Sequence, residues 1–246
     1  MQALIVHCHP EPTSFNATLK DVAEATLSKL GYGVTVSDLY AEGFDPVEGA
    51  KHYRDRLDPE CFSTLAEQRH ASMRDSLPEE IRREIARLEQ AELVVFQFPI
   101  WWHAQPAMLK GWFDRVFVNG SLYSSTMRYD RGRFRGKRAI CCVTTGAPER
   151  AFGPRSRGGD IAQILWPAQF SLYYMGFAVL PPFIAYGIQG HGFAYQADDV
   201  FQRQLDDYKT RWARRLEQLD QDEPLPFPGW NDWDEHGHVL PRAEAG

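Results

Sequence analysis

Three short runs in this chain are dominated by apolar residues with no alternation between faces: residues 3–8 (ALIVHC), 93–98 (LVVFQF) and 137–144 (KRAICCVT). A strand with one wet face alternates apolar and polar residues. A strand buried on both faces does not, and that is the pattern of parallel sheets covered by helices. Helical spacing fills the intervals. Phe15, Leu19, Val22, Ala23, Leu27 and Leu30 recur along 15–30, and Gly31 closes that helix. Ile81, Ile85 and Leu88 give residues 79–90 an inward face, and Pro106 opens a helix over 106–118. Further helices are expected over 161–175 and 196–219. Residues 33–39 (GVTVSDL) read as another strand, and 177–186 as a last one, set at a sheet edge or end by Pro181 and Pro182. Strand and helix in alternation predict a doubly wound α/β domain.

Five strands in this arrangement allow a flavodoxin-like parallel sheet, order 2-1-3-4-5, with helices on both faces. Ligands of such sheets bind beyond the carboxyl ends of the strands, at the switch point between strands one and three. The domain is expected to span residues 1–220, with 221–246 as an extended tail rich in Pro, Gly and Trp. The polar stretch 41–77 reads as a long insertion with possible short helices that carries function or covers a site.

Composition narrows the partners. The formal charge is −6 with basic residues spread along the chain, which argues against nucleic acid. No apolar run approaches the roughly 20 residues that span a bilayer, and no basic segment precedes the first strand as in a signal peptide. A cytoplasmic protein is the expectation. The four cysteines show no metal-site spacing, and Cys8, Cys141 and Cys142 fall in core strands, so free buried thiols and no metal are expected.

Three unusual loops follow three strands and so share one sheet edge. The first, residues 7–16 (HCHPEPTSFN), ends in Thr13, Ser14 and Asn16 at a helix start, where hydroxyls and free amides suit a phosphate. A plain helix cap explains these residues too. The second, Pro99, Ile100, Trp101, Trp102 and His103, offers flat apolar surface beside backbone polar groups. It suits an isoalloxazine ring, or packing on the next helix. The third, Thr144, Thr145, Gly146 and Ala147, offers hydroxyls and close backbone approach, or a simple turn. Their coincidence at one switch point favours a bound flavin. The loop lacks Gly-x-Gly-x-x-Gly, which argues against a Rossmann dinucleotide site. His9 suits a phosphate contact or a satisfied histidine equally well. His103 and His191 are candidate cleft residues. Asp114 and Arg115 read as an exposed ion pair or interface charges.

The stretches TSFN (13–16), SDLY (37–40), FQFPIWW (96–102), LKGWFDRVF (109–117), VTTG (143–146) and ILWP (164–167) resemble the NAD(P)H:quinone oxidoreductases of the DT-diaphorase type, over roughly the first 190 residues. The resemblance implies a flavodoxin-like homodimer with FAD at the subunit interface, reducing quinones by two electrons in a ping-pong cycle with NAD(P)H. Carried over, His9, Ser14, Phe15 and Asn16 would lie near the diphosphate. Pro99, Ile100, Trp101 and Trp102 would line the isoalloxazine, and Thr144, Thr145, Gly146 and Ala147 its other edge. The acceptor pocket would be walled by Trp102, His103, Tyr123, Phe152, Tyr174 and His191, with Tyr123 lent by the other subunit. Helix 106–118 would pack at the dimer interface. No side chain is assigned a catalytic role, since the flavin N5 carries the hydride.

The chain departs from the family pattern. The family's Tyr and His after the TTG loop are Phe152 and Gly158, its second loop Gly is Ala147, and its second pocket Tyr is Ser125. Amides of Thr145, Gly146 and Ala147, or Arg150, Arg155 or Arg157, are the candidates to meet charge on a reduced flavin in place of the lost pair. Alternatives are an azo- or nitroreductase of the same fold, a regulatory flavoprotein subunit of a membrane transporter, or a one-electron carrier. The bulky Trp loop disfavours the last.

Overall fold

The computed structural model describes residues 1–190 and 196–241. Strands β1 (Gln2–His7), β2 (Gly33–Asp38), β3 (Leu93–Pro99) and β4 (Arg138–Thr144) are parallel and lie in the order β2-β1-β3-β4. The expected final strand over 177–186 is instead two short ones, β5 (Ala178–Val179) and β6 (Phe183–Ala185), both pairing with β4 in parallel. Pro181 and Pro182 lie in the break. Proline has no amide to give a ladder, so the strand leaves the sheet there and returns.

Along each strand, side chains alternate between two cores. Leu4, Val6, Val94, Phe96, Ala139 and Cys141 face one, built with α3 (Glu79–Gln90), α4 (Ala107–Val116) and α5 (Ile161–Tyr174). Ala3, Ile5, Leu93, Val95, Ile140 and Cys142 face the other, against α1 (Phe15–Lys29) and α6 (Asp198–Glu217). The unbroken apolar strands therefore match a sheet covered on both sides. Cys8, Cys141 and Cys142 are free and buried, and burial pushes the Cys8 and Cys141 thiols up to about 12.

Helix α4 corrects one expectation. Trp112, Phe113 and Phe117 pack within their own chain, Trp112 and Phe113 at 5.8 Å and Phe113 and Phe117 at 4.9 Å, and all are buried. These rings fill the core, and Phe113 and Phe117 also line an open recess on that side of the molecule. Arg115 is not a surface charge. It is buried, ion-paired with Glu80 at 2.5 Å and bonded to the Asp45 carbonyl. Only Asp114 is exposed, beside Lys110.

The insertion carries α2 (Thr64–Met73). It is anchored by polar groups: Gln68 Nε2 donates to the Asp114 carbonyl at 2.9 Å, and buried Glu67 accepts from Arg56 Nε at 2.7 Å. Beyond α6 the chain runs back over α5, where Tyr173 Oη donates to the Pro228 carbonyl at 2.7 Å. No helix among the described residues is long and apolar enough to cross a membrane.

Candidate active site

The carboxyl ends of β1, β3, β4 and β6 border a cleft of about 1190 Å³. His9, Ser14, Phe15, Asn16, Pro99, Ile100, Trp101, Thr144, Thr145 and Gly146 line it, so the three loops meet as expected. Trp102 and Ala147 do not line it.

Ser14 caps α1, its Oγ accepting from the Ala17 amide at 3.1 Å. Cap and ligand readings are compatible, because this bond uses one first-turn amide and leaves those of Phe15 and Asn16 without an intrahelical acceptor. Asn16 is buried and ties the loops together. Its Nδ2 donates to Thr144 Oγ1 at 2.5 Å, and its Oδ1 accepts from Gln97 Nε2 at 2.8 Å. One side chain thus locks α1 to the ends of β3 and β4.

His9 Nδ1 accepts from the Glu11 amide at 3.0 Å, and its ring lies 5.9 Å from that of Trp101. Nδ1 also lies 3.2 Å from the Glu11 carbonyl, and burial holds the ring's pKa below the ordinary histidine value, which favours the neutral form near pH 7. The cleft lining contains no Lys or Arg among the described residues. An anion there would be met by amides and the positive end of α1.

Trp102 and His103 are the two central residues of a tight reversal. Their φ angles are +50° and +58°, and Trp101 and Ala104 exchange hydrogen bonds of 3.0 and 3.1 Å across it. This is the geometry that favours Asn-Gly, and side chains of this size are strained in it. The turn leaves Trp102 96% exposed. His103 is exposed beside the 153–160 loop, its Cδ2 lying 3.8 Å from where a Cβ on Gly159 would stand.

In the third loop the Thr145 amide already donates to the Ala185 carbonyl at 2.9 Å, which removes it from the candidates for meeting flavin charge. The amides of Gly146 and Ala147 have no protein acceptor among the described residues. Phe152 packs on Tyr186 at 5.5 Å. A Cβ at Gly158 would stand 2.8 Å from the Ala151 carbonyl oxygen, so a histidine cannot be restored there without moving backbone. Arg155 and Arg157 are exposed, and Arg150 lines a separate recess with Tyr186 and Gln204.

Tyr123 and Tyr174 do not reach the cleft within one chain. They pack edge to face at 5.6 Å and line another recess, of about 480 Å³, with Phe113, Phe117 and Phe170. A subunit that lends Tyr123 therefore lends Tyr174 with it. His191 lies outside the described residues. Sequence reasoning missed the far wall of the cleft: Ile188, Gln189 and Gly190 after β6, and Asp198, Phe201, Gln202 and Leu205 on α6. The topological rule that placed the other loops applies equally to the loop after the last strand.

Comparison with known proteins places this geometry. A family model described as flavodoxin-like fold matches residues 1–212. NAD(P)H dehydrogenase [quinone] 1 of Cavia porcellus is 41% identical over 228 residues, covering 92% of this chain and 80% of that protein. The chain belongs to the NAD(P)H dehydrogenase (quinone) family. The human ribosyldihydronicotinamide dehydrogenase [quinone] is 37% identical, covering 92% of this chain and 94% of its own. A solved structure of a candidate quinone reductase from Klebsiella pneumoniae superposes with TM-score 0.85 at 34% identity, covering 99% of this chain and 93% of that one. An azoreductase of Bacillus anthracis, at 15% identity and TM-score 0.54, shares the fold alone.

Proposed function

We propose that the chain is an FAD-dependent reductase that moves two electrons from NAD(P)H to a quinone or related acceptor, working as a cytoplasmic homodimer. The observation that carries this is the convergence of the TSFN, PIWW and TTG loops on one cleft. The cleft's length favours FAD over FMN. Ligand pockets commonly run to about 1,000 Å³, and this one, at about 1190 Å³, continues past the α1 terminus to Phe201 and Leu205. That extension offers a place for the second nucleotide half.

A bound flavin supplies the redox chemistry, accepting a hydride from reduced nicotinamide and returning it to the acceptor. The chain's part is to seat and polarise it. The α1 terminus and His9 would receive the diphosphate, and Trp101 with Pro99 and Ile100 would flank the ring. The amides of Gly146 and Ala147 would be the donors to meet negative charge on it. Such preorganised donors are each worth about 2.7–4 kcal/mol.

One chain leaves the acceptor side open. Trp102 is nearly fully exposed, and Tyr123 and Tyr174 line a recess apart from the cleft. In the proposed dimer the Trp102–His103 turn of one copy faces the tyrosine recess of the other, closing the pocket over the ring. Donor and acceptor then share one position in turn. With NADH or NADPH and a quinone both varied, double-reciprocal plots should be parallel. Intersecting lines would require a ternary complex and separate sites.

A further inference from the structure

The Tyr123–Tyr174 recess shares Phe170 with a second aromatic hollow of about 310 Å³ at the C-terminal segment, and Arg128 of that hollow bonds Tyr174 of the first. Arg128 stands at their junction. Its guanidinium carbon lies 5.4 Å from the ring centre of Tyr129, 5.6 Å from Tyr174 and 5.2 Å from Trp230. Among the described residues it has no carboxylate partner, and its hydrogen bonding is limited to Nη1 donating to Tyr174 Oη at 3.2 Å. Nε is buried with no acceptor. Arg131 lies over the same indole, 5.1 Å from the Trp230 ring, bonded only to neutral Asn231. Two guanidinium groups thus share one tryptophan, with no acid paired to either among the described residues.

The neighbouring acid serves the tail. Asp130 Oδ1 accepts from the Trp230 amide at 2.7 Å, and its Oδ2 would face a Cβ on Gly229 at 3.2 Å. Tyr129 holds a left-handed φ of +58°, which fixes the direction of the segment carrying Arg128. Arginine stacks on aromatic faces and still presents in-plane donors. Here the faces are supplied and most donors are free.

We propose that Arg128 forms an anion subsite of the acceptor pocket, selecting flat aromatic acceptors that carry a carboxylate or sulfonate. This rests on the reductase reading above, which brings the Tyr174 wall to the flavin. The ring of such an acceptor lies between Tyr174 and the Trp102 turn, and its acidic group takes the free donors of Arg128.

The test uses flavin-loaded protein with NADH and two acceptors, 1,4-naphthoquinone and its 2-sulfonate, alongside calorimetric titration with naphthalene-2-sulfonate. A charge-assisted contact predicts kcat/KM about tenfold or more higher for the sulfonate at low salt, the gap shrinking as salt is added. Arg128→Gln should bring the ratio near one and abolish naphthalene-2-sulfonate binding, while Arg128→Lys keeps part of both. If Arg128→Gln does not fold, the Lys variant and the wild-type salt dependence decide. Turnover of neither quinone would sink the reductase reading, while the titration still tests Arg128. Equal use of both quinones without Arg128-dependent binding would overturn the inference. So would an Arg128→Gln protein that is less stable but keeps its selectivity, since the side chain then only secures the tail. A loss confined to NADPH, with NADH untouched, would assign the guanidinium to the donor's phosphate and overturn it as well.

Discussion

His7 shows how one buried side chain couples this site to pH. It ends β1 at 1% exposure, its Nδ1 has no hydrogen-bond partner among the described residues, and desolvation drives its pKa from 6.5 down to about 4. Asp38 beside it pulls the other way, while Lys20 and His9 add to the lowering. The folded state therefore refuses a proton that the unfolded chain takes up below pH 6.5. Stability must fall as pH drops from about 6.5 to about 4, by roughly 3 kcal/mol if the whole shift is expressed. His7→Gln, which cannot titrate, should lose that much less than wild type in urea unfolding between pH 7.5 and 4. Parallel stability curves for the two proteins would refute the assignment. Other residues near the site also run against local preference. Trp102 and His103 occupy positive φ where Asn-Gly would be at ease, and Gln97 leaves its Oε1 without a partner in the core. Strain of this kind persists only where surrounding structure enforces it, and here it aims an indole outward at the cleft rim.

Among the elements, what could be read from the chain follows from how each is held. The strands were legible because burial on both faces leaves an unbroken apolar run, and α1 and α3 because an apolar stripe seats them. Helix α2 was foreseen only as a possible short helix somewhere in 41–77, since it is held by Glu67 and Gln68, buried polar groups that leave no apolar period. On α3 the same device is hidden. Buried Glu84 accepts from Ser37 Oγ at 2.6 Å and Trp112 Nε1 at 2.9 Å, linking β2, α3 and α4 through a residue that reads as surface charge. Of the site, the three loops were legible from topology and the far wall on α6 was not, because Phe201 and Leu205 look like ordinary residues of an amphipathic helix. A contact between elements makes the next prediction. Gly111 on α4 lies so close to the insertion that a Cβ would stand 2.1 Å from the Pro46 carbonyl oxygen. Backbone cannot give way as a flexible side chain does. Gly111→Ala should cost about 1–3 kcal/mol by overpacking, read as a lower urea midpoint. An unchanged midpoint would mean that the loop does not seat on α4.

For the whole molecule, the account joins two half-sites that one chain keeps apart: a cleft at the sheet edge and an aromatic recess around Tyr123 and Tyr174. In the proposed dimer a second copy brings them together. Light scattering of the flavin-loaded protein should give about twice the chain mass of 28.2 kDa, and a monomer that turns over quinone at full rate would show that the pocket closes some other way. Under the dimer sits a simpler claim on which everything else depends, that the cleft is built for FAD. The direct measurement is to equilibrate the purified protein with equal FAD and FMN, remove free flavin, and identify by mass what heat releases. The protein should be yellow and should release FAD at close to one per chain. A colourless protein would contradict the flavin site itself, and release of FMN alone would contradict the assignment of the α6 wall to the second nucleotide half.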